Sequence, residues 1–306
     1  MIKKRLRSAY QRLRSVTADR GETALLLLGK QMSWQVSEFP PNTDFRKVGF
    51  KVFSQWDEDG IIQYLINKID IPSKTFIEFG VENYEESNTR FLLLNNHWQG
   101  MVLDASEADI RYVQTDRIHW EFDLQAERAW ITRDNIDSLL KRAGFPEDVG
   151  VLSIDINGNE YWIWEAIRSI QPRIVIVEYN SLFGLHPVAV PYKEDFDRTG
   201  AHYSNLYYGC SLGALQHLAS RKGYILLGSN VWGHNAFFVR ADAGSVFNPV
   251  AAAVAYVRSN FRESRGLDGK LTYVRGDNRL NLIQDLPVVN VITGEQAPLK
   301  IFVGRT

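Results

Sequence analysis

The sequence predicts an α/β fold, a Rossmann-like and mostly parallel sheet with helices on both faces and an antiparallel edge. Two patterns predict it. Short β-branched runs alternate with helical stretches of crossover length, the sequence signature of βαβ units. One of those runs, Arg173 to Glu178, is apolar enough for burial on both faces, as strands inside a parallel sheet are.

The first twenty residues carry Lys3, Lys4, Arg5, Arg7, Arg12, Arg14 and Arg20 against Asp19 alone, with Ile2, Leu6, Leu13 and Val16 at helical spacing. This reads as a basic amphipathic helix, suited either to peripheral contact with an anionic membrane surface or to a homo-oligomer contact with a neighbouring subunit. Phe39-Pro-Pro-Asn-Thr-Asp44 is a loop that closes this arm, residues 1–45. The main domain spans 46–245. It opens on Ser54-Gln-Trp-Asp-Glu-Asp-Gly, whose acids suit the positive end of a helix that Pro72 ends. Strands are predicted at Thr75–Val81, Gly100–Leu103, His119–Phe122, Val149–Ile156 and Arg173–Glu178. Helices fill the gaps near Ser87–Asn95, Glu107–Thr115, Asp134–Ala143 and Glu160–Ser169. A further helix at Ser211–Lys222 leads to Tyr224–Gly228 and Asn235–Arg240, a hairpin across Asn230-Val-Trp-Gly that supplies the antiparallel edge. Residues 246–306 read as an extension, with a helical piece at Val250–Arg262, a strand at Pro287–Ile292 and no assignable motif.

Composition narrows the function. With 306 residues, 45% of them hydrophobic and 23% charged, the chain has the balance of a globular protein with a large core. A net charge of −1 provides no general basic field for nucleic acid. Cys210 is the only cysteine, which excludes an internal disulfide and a cysteine-rich zinc site and fits a reducing compartment. The apolar run Ala24–Leu28 is far too short to span a bilayer. The expected location is the cytoplasm, with the inner face of the membrane as the place the basic arm could touch.

In a doubly wound sheet ligands bind outside the carboxyl ends of the strands, so polar residues there are the functional candidates. Glu78 and Gly80 close the first predicted strand, Asp104 the second and Asp155 the fourth, while Asp123 follows the third. The 26 residues from Glu78 to Asp104 suit one helix plus turns and place Asp104 where a carboxylate can accept both hydroxyls of an adenosine ribose. The turn after the first strand, Gly80-Val-Glu-Asn-Tyr-Glu-Glu-Ser-Asn, holds one glycine and several acids. It disfavours a pyrophosphate, which needs glycine backbone donors, and suits a cation.

Phe76-Ile-Glu-Phe-Gly-Val, Val102-Leu-Asp-Ala-Ser and Leu152-Ser-Ile-Asp-Ile-Asn-Gly-Asn-Glu-Tyr together resemble the FkbM-type class I S-adenosylmethionine-dependent methyltransferases. The third motif is the most specific: Asp155, Gly158 and Glu160 match, and Asn157 stands where the family usually has an acid. Val175-Ile-Val-Glu-Tyr is similar to the strand that follows. The resemblance covers roughly residues 50–240 and implies S-adenosylmethionine as cofactor, with O-methylation of a sugar hydroxyl, in a surface polysaccharide or its precursor, as the outcome. It implies that Glu78 and Gly80 border the methionine part, that Asp104 and the adjoining Ala105 hold the ribose, and that Asp123 reaches the adenine amine. Asp155 would face the reacting centre.

Asp155, Glu178 and Asn180 form a second candidate set, since oxygen ligands at adjacent strand ends can hold Mg²⁺ and orient a hydroxyl. Glu178 as a strand cap and Asn180 as a turn residue is the competing reading. His202 or His186 could instead be the general base. Phe183, Tyr192, Lys193, Arg198, Tyr203, Tyr207 and Tyr208 offer either an acceptor surface for a small molecule or glycan, or a cover for the rim of the sheet; His234-Asn235 is a further acceptor candidate. Two alternatives stand beside the methyltransferase: a nicotinamide-dependent oxidoreductase, opposed by the missing Gly-x-Gly-x-x-Gly, and a methyltransferase-like binding module without turnover.

Overall fold

The computed structural model describes residues 21–303. The basic helix predicted over the first twenty residues lies outside the described residues. Among the described residues ten strands form two sheets: β1 (Thr75–Phe79), β2 (Gln99–Asp104), β3 (Leu124–Arg128), β4 (Val151–Ile154), β5 (Ile174–Glu178), β6 (Val188–Ala189), β7 (Tyr224–Ser229), β8 (Asn235–Arg240), β9 (Pro287–Asn290) and β10 (Gln296–Pro298). The main sheet has the order β3-β2-β1-β4-β5-β8-β7, with β1 to β5 parallel and β8 antiparallel to both of its neighbours. This is the Rossmann-like sheet of the class I methyltransferase type, and the predicted fold class stands. A small antiparallel sheet, β10-β9-β6, lies beside it.

The hairpin forms as predicted because Asn230 ties its own turn: its Oδ1 accepts from the backbone N–H groups of His234 and Asn235 at 2.9 and 3.1 Å. The helix Glu107–Thr115 also matches, started by Ser106, whose side chain accepts from the Asp109 N–H. The third strand does not match. His119–Phe122 falls mostly in a helix, Arg117–Glu121, capped by the Asp116 carboxylate, and β3 begins after it. Ile118 alone of that helix is buried, whereas Leu124 and Ala126 alternate inward along β3, a burial pattern masked in sequence by Gln125 and Glu127. The first domain helix is Glu58–Ile66 and ends at Asn67, ahead of Pro72. The predicted helical piece at Val250–Arg262 shrinks to Ala252–Ala255.

Alternation along the strands assigns every side chain to a face. Ile77, Leu152, Val175 and Val177 enter one core, while Phe76, Val151, Ile174 and Ile176 enter the other. Glu78, Asp155 and Glu178 continue the second set at the carboxyl ends of β1, β4 and β5, so parity alone turns all three carboxylates to the same side. A third core joins Leu182, Phe183, Tyr207 and Tyr208 to Val288, Leu299 and Phe302. The C-terminal extension thereby underpins the aromatic segment that follows β5.

Candidate active site

Two adjoining cavities open along the carboxyl ends of the parallel strands. The first, about 340 Å³, is lined by Asp104, Ala105, Trp130, Asn159 and Phe196 among others. The second, about 240 Å³, runs past Asp155 and Glu178 to His234, Asn235 and Phe261. Gly80, Glu82, Asn157 and Arg198 belong to both walls, so the two make one groove.

Gly80 sits at the waist of that groove. Its φ of +74° lies in the left-handed region, and a Cβ there would stand 1.6 Å from the Asp155 carbonyl oxygen. Only glycine lets the turn after β1 cross the end of β4 this closely. The crossing brings the Asp104 and Asp155 regions onto one groove. Asp104 itself accepts from the backbone N–H groups of Ser106 and Glu82, both at 2.8 Å and one to each carboxylate oxygen. A carboxylate has about four acceptor positions, so each oxygen retains capacity for a hydroxyl. Ala105 lines the same cavity.

Glu78 faces the second cavity, but both of its oxygens are engaged. They accept from Ser87 Oγ, from the Asn88 and Thr89 N–H groups at 2.9 Å, and from Thr89 Oγ1. Glu78 therefore ties down the acidic turn after β1, with Oε2 taking three of these bonds and Oε1 only that from the Asn88 N–H.

Asp155 and Glu178 meet with Glu160, the first residue of the helix Glu160–Ala166; one oxygen of each lies within 4.8 Å of the others. Burial pushes Glu178 well above the ordinary carboxylate range, and the Asp155 charge beside it pushes the same way. Burial also raises Asp155 to about 6, while a hydrogen bond shared with Glu178 works in the opposite direction. Two carboxyl groups can bond to each other only through a proton, and burial together with their mutual repulsion favours one proton held by the pair. Glu160 Oε1 accepts from the Ile156 and Gly158 N–H groups at 3.1 and 2.6 Å, whereas its Oε2 and Glu178 Oε2 are buried without a partner.

Burial raises Glu160 to about 7 from an ordinary 4.5, so its contribution to stability is present at low pH and lost as pH rises through that value. Glu160→Gln should therefore be more stable than the wild type by about 1–2 kcal/mol near pH 8, with the gap closing toward about pH 5. Urea unfolding in a chelator-containing buffer reads this directly. A gap independent of pH would show that Glu160 holds no extra proton.

Three of the residues predicted from sequence are turned away. Asp123 stands before β3, not after it, so it is at the amino ends of the strands, where its carboxylate accepts from the Gln99 side chain. The displacement of β3 removes it from any adenine contact in this groove. Asn180 is buried and turned to the backbone of its own loop: Oδ1 accepts from the Leu182 N–H at 3.0 Å, and Nδ2 donates to the Leu206 and Tyr208 carbonyls at 2.9 and 3.0 Å. The third oxygen donor beside Asp155 and Glu178 is Glu160, not Asn180. His202 lines neither cavity; its Nδ1 pairs with Ser204 Oγ at 2.7 Å and its ring lies against Tyr203. His234, by contrast, does reach the second cavity, where Nε2 pairs with Ser259 Oγ at 3.0 Å and burial lowers the ring to about 4, keeping it neutral.

The structure brings Arg198, one of the acceptor-surface candidates, to the acid cluster and adds Phe261 and Glu263, which carried no sequence signal. Arg198 lies over the Tyr208 ring at 4.1 Å, donates to Asn157 Oδ1 at 2.9 Å and to the Asn205 carbonyl at 2.8 Å, and pairs with Glu263 at 3.5 Å. It brings one fixed positive charge to the acid cluster. Phe261 and Glu263 come from the extension, which returns across the groove, with Tyr256 Oη and the Ser259 N–H both bonded to Ser181. Glu160 was visible in its motif, but an acid at a helix start normally reads as dipole compensation.

No family model matches the chain, and no curated protein matches it. Solved structures that resemble it include the N-terminal domain of EvdMO1 with SAH bound, at 10% identity and TM-score 0.40 over 69% of this chain and 93% of that one. An O-methyltransferase from Bacillus cereus in complex with SAH aligns at 12% identity and TM-score 0.34 over 54% and 72%. A SAM-dependent methyltransferase from Aquifex aeolicus aligns at 6% identity and TM-score 0.33 over 58% and 89%.

Proposed function

We propose that the protein is an S-adenosylmethionine-dependent O-methyltransferase whose acceptor is a sugar hydroxyl, in a surface polysaccharide or its precursor. The observation that carries this reading is the groove itself, which runs from the free acceptor positions of Asp104 to the Asp155–Glu178 pair over one edge of the sheet. Six acids and one arginine line its second half, a field that favours a sulfonium cation and opposes a diphosphate. That balance also counts against a nicotinamide cofactor. When bound, S-adenosylmethionine would supply the electrophilic methyl group, with its ribose on Asp104 and Ala105.

Bound there, S-adenosylmethionine would give its methyl carbon to the acceptor oxygen and leave as the thioether, and Asp155 would take the hydroxyl proton. Alignment supplies most of the acceleration, and a carboxylate raised to about 6 is a better proton acceptor than an ordinary one. Phe261 offers an aromatic wall for a sugar: it lines the second cavity and meets edge to face the Trp56 ring, which stacks on Trp232 at 4.2 Å behind it.

The three carboxylates also support a second reading in which Mg²⁺ replaces the shared proton, held by Asp155, Glu160 and Glu178. The unpartnered oxygens of Glu160 and Glu178 favour it.

Calorimetry tests the cofactor. Asp104→Asn should weaken S-adenosylmethionine binding by roughly tenfold or more, as expected for losing charge-assisted bonds to two hydroxyls. Asp123→Asn should leave it unchanged. Absence of binding by the wild type, with and without Mg²⁺, would end the methyltransferase reading, and binding without methylation of any acceptor would point to the module without turnover.

A further inference from the structure

Residues 21–37 form a helix that rests on the domain through a narrow face, Gly29, Ser33 and Val36. Most of its circumference faces solvent, and that surface is apolar. Leu25, Leu27, Leu28, Met32 and Trp34 are 47%, 65%, 60%, 37% and 63% exposed. At about 100° per residue, the arc from Trp34 through Leu27 and Leu28 to Leu25 covers roughly half the helix and contains no charged side chain. Its polar members are Gln31 and Gln35. The helix's charges lie off this arc: Glu22 is near Arg90 and Arg117, and Lys30 sits over the Trp34 ring. A helix that normally faced water would carry charge on this side.

We propose that this helix docks on an anionic membrane surface, lying along it rather than crossing it. Among the described residues no helix is long and apolar enough to span a bilayer, which fits a surface-lying element. The occupant follows from charge. The chain immediately before the helix holds seven Lys and Arg residues against one Asp, and anionic headgroups complement that excess. Trp34, an indole at the border of an apolar arc, is the side-chain type that settles at a headgroup boundary. The apolar arc and the basic segment are the paired signals that peripheral binding needs, since either alone binds only marginally.

Flotation of the full chain with vesicles tests this. The protein should float with phosphatidylglycerol-containing vesicles at low salt, stay behind with pure phosphatidylcholine, and release from the anionic vesicles at high salt. Leu28→Glu/Met32→Glu should weaken anionic-vesicle binding by at least roughly tenfold while thermal melting and S-adenosylmethionine binding stay as in the wild type. Arg5→Gln/Arg7→Gln/Arg12→Gln/Arg14→Gln should weaken it too and flatten the salt dependence. Failure of the wild type to float with anionic vesicles, or undiminished flotation of the Leu28/Met32 variant, overturns the proposal. So does a dimer in sedimentation that the Leu28/Met32 variant dissolves without any effect on flotation.

Discussion

Gly80→Ala should lose roughly 3 kcal/mol or more of unfolding free energy, together with measurable cofactor binding. Two costs combine at this position. A side chain at a φ of +74° costs about 1–2 kcal/mol wherever it occurs. The second cost is steric and larger, because a Cβ 1.6 Å from the Asp155 carbonyl oxygen cannot be accommodated by a rotamer change. Backbone must move, and the segments that would move carry Asp155 on one side and the Glu82 N–H that holds Asp104 on the other. Gly144 separates the two terms: its φ is +68°, yet a Cβ there meets nothing within 4 Å. Gly144→Ala should therefore cost only about 1–2 kcal/mol. Urea unfolding of both variants reads the difference, and equal losses would mean that the turn after β1 does not pass this close to the end of β4.

Asp155→Asn should lower kcat by about 10²–10³-fold, because an amide cannot take the hydroxyl proton, while the affinity for S-adenosylmethionine changes little. The pH profile supplies the sign. A proton acceptor works in its ionised form, so the wild-type rate should fall as pH drops through about 6, the value to which burial raises Asp155. Loss of that inflection in Asp155→Asn, read as S-adenosylhomocysteine formed with an acceptor found from a sugar panel, identifies the carboxylate as the group that titrates. A variant with wild-type kcat and an unchanged profile would remove Asp155 from the proton path. Glu178→Gln makes a sharper companion, since the amide keeps a donor beside Asp155 without a titrating group; its profile should keep the inflection.

Much of the frame was legible before any coordinates. The unbroken apolar run in Arg173–Glu178 and the helical spacing of Ile110 and Val113 in Glu107–Thr115 are local properties, and both elements lie where those patterns put them. Asn230 wrote its own turn, because a side-chain amide that accepts from the N–H groups four and five residues on needs no partner from elsewhere. The acids at the ends of β1, β2, β4 and β5 were visible for the same reason, as residues that close an apolar run.

What the sequence by itself determined about this protein is the order of its elements, the Rossmann-like class and the positions of Glu78, Asp104, Asp155 and Glu178 at strand ends. Tertiary structure alone decided which of those groups remain free. Glu78 is consumed by the turn after β1, Asn180 by the carbonyls of Leu206 and Tyr208, and Asp123 moved to the far end of the sheet when Asp116 capped a helix where a strand was expected. Arg198, Phe261 and Glu263 reach the groove from segments with no motif, because a long loop and a C-terminal extension pack back over the strand ends. Periodicity and caps are set within a few residues of chain, whereas the hydrogen-bond capacity left on a carboxylate and the charge beside it depend on whatever distant segment burial brings against it.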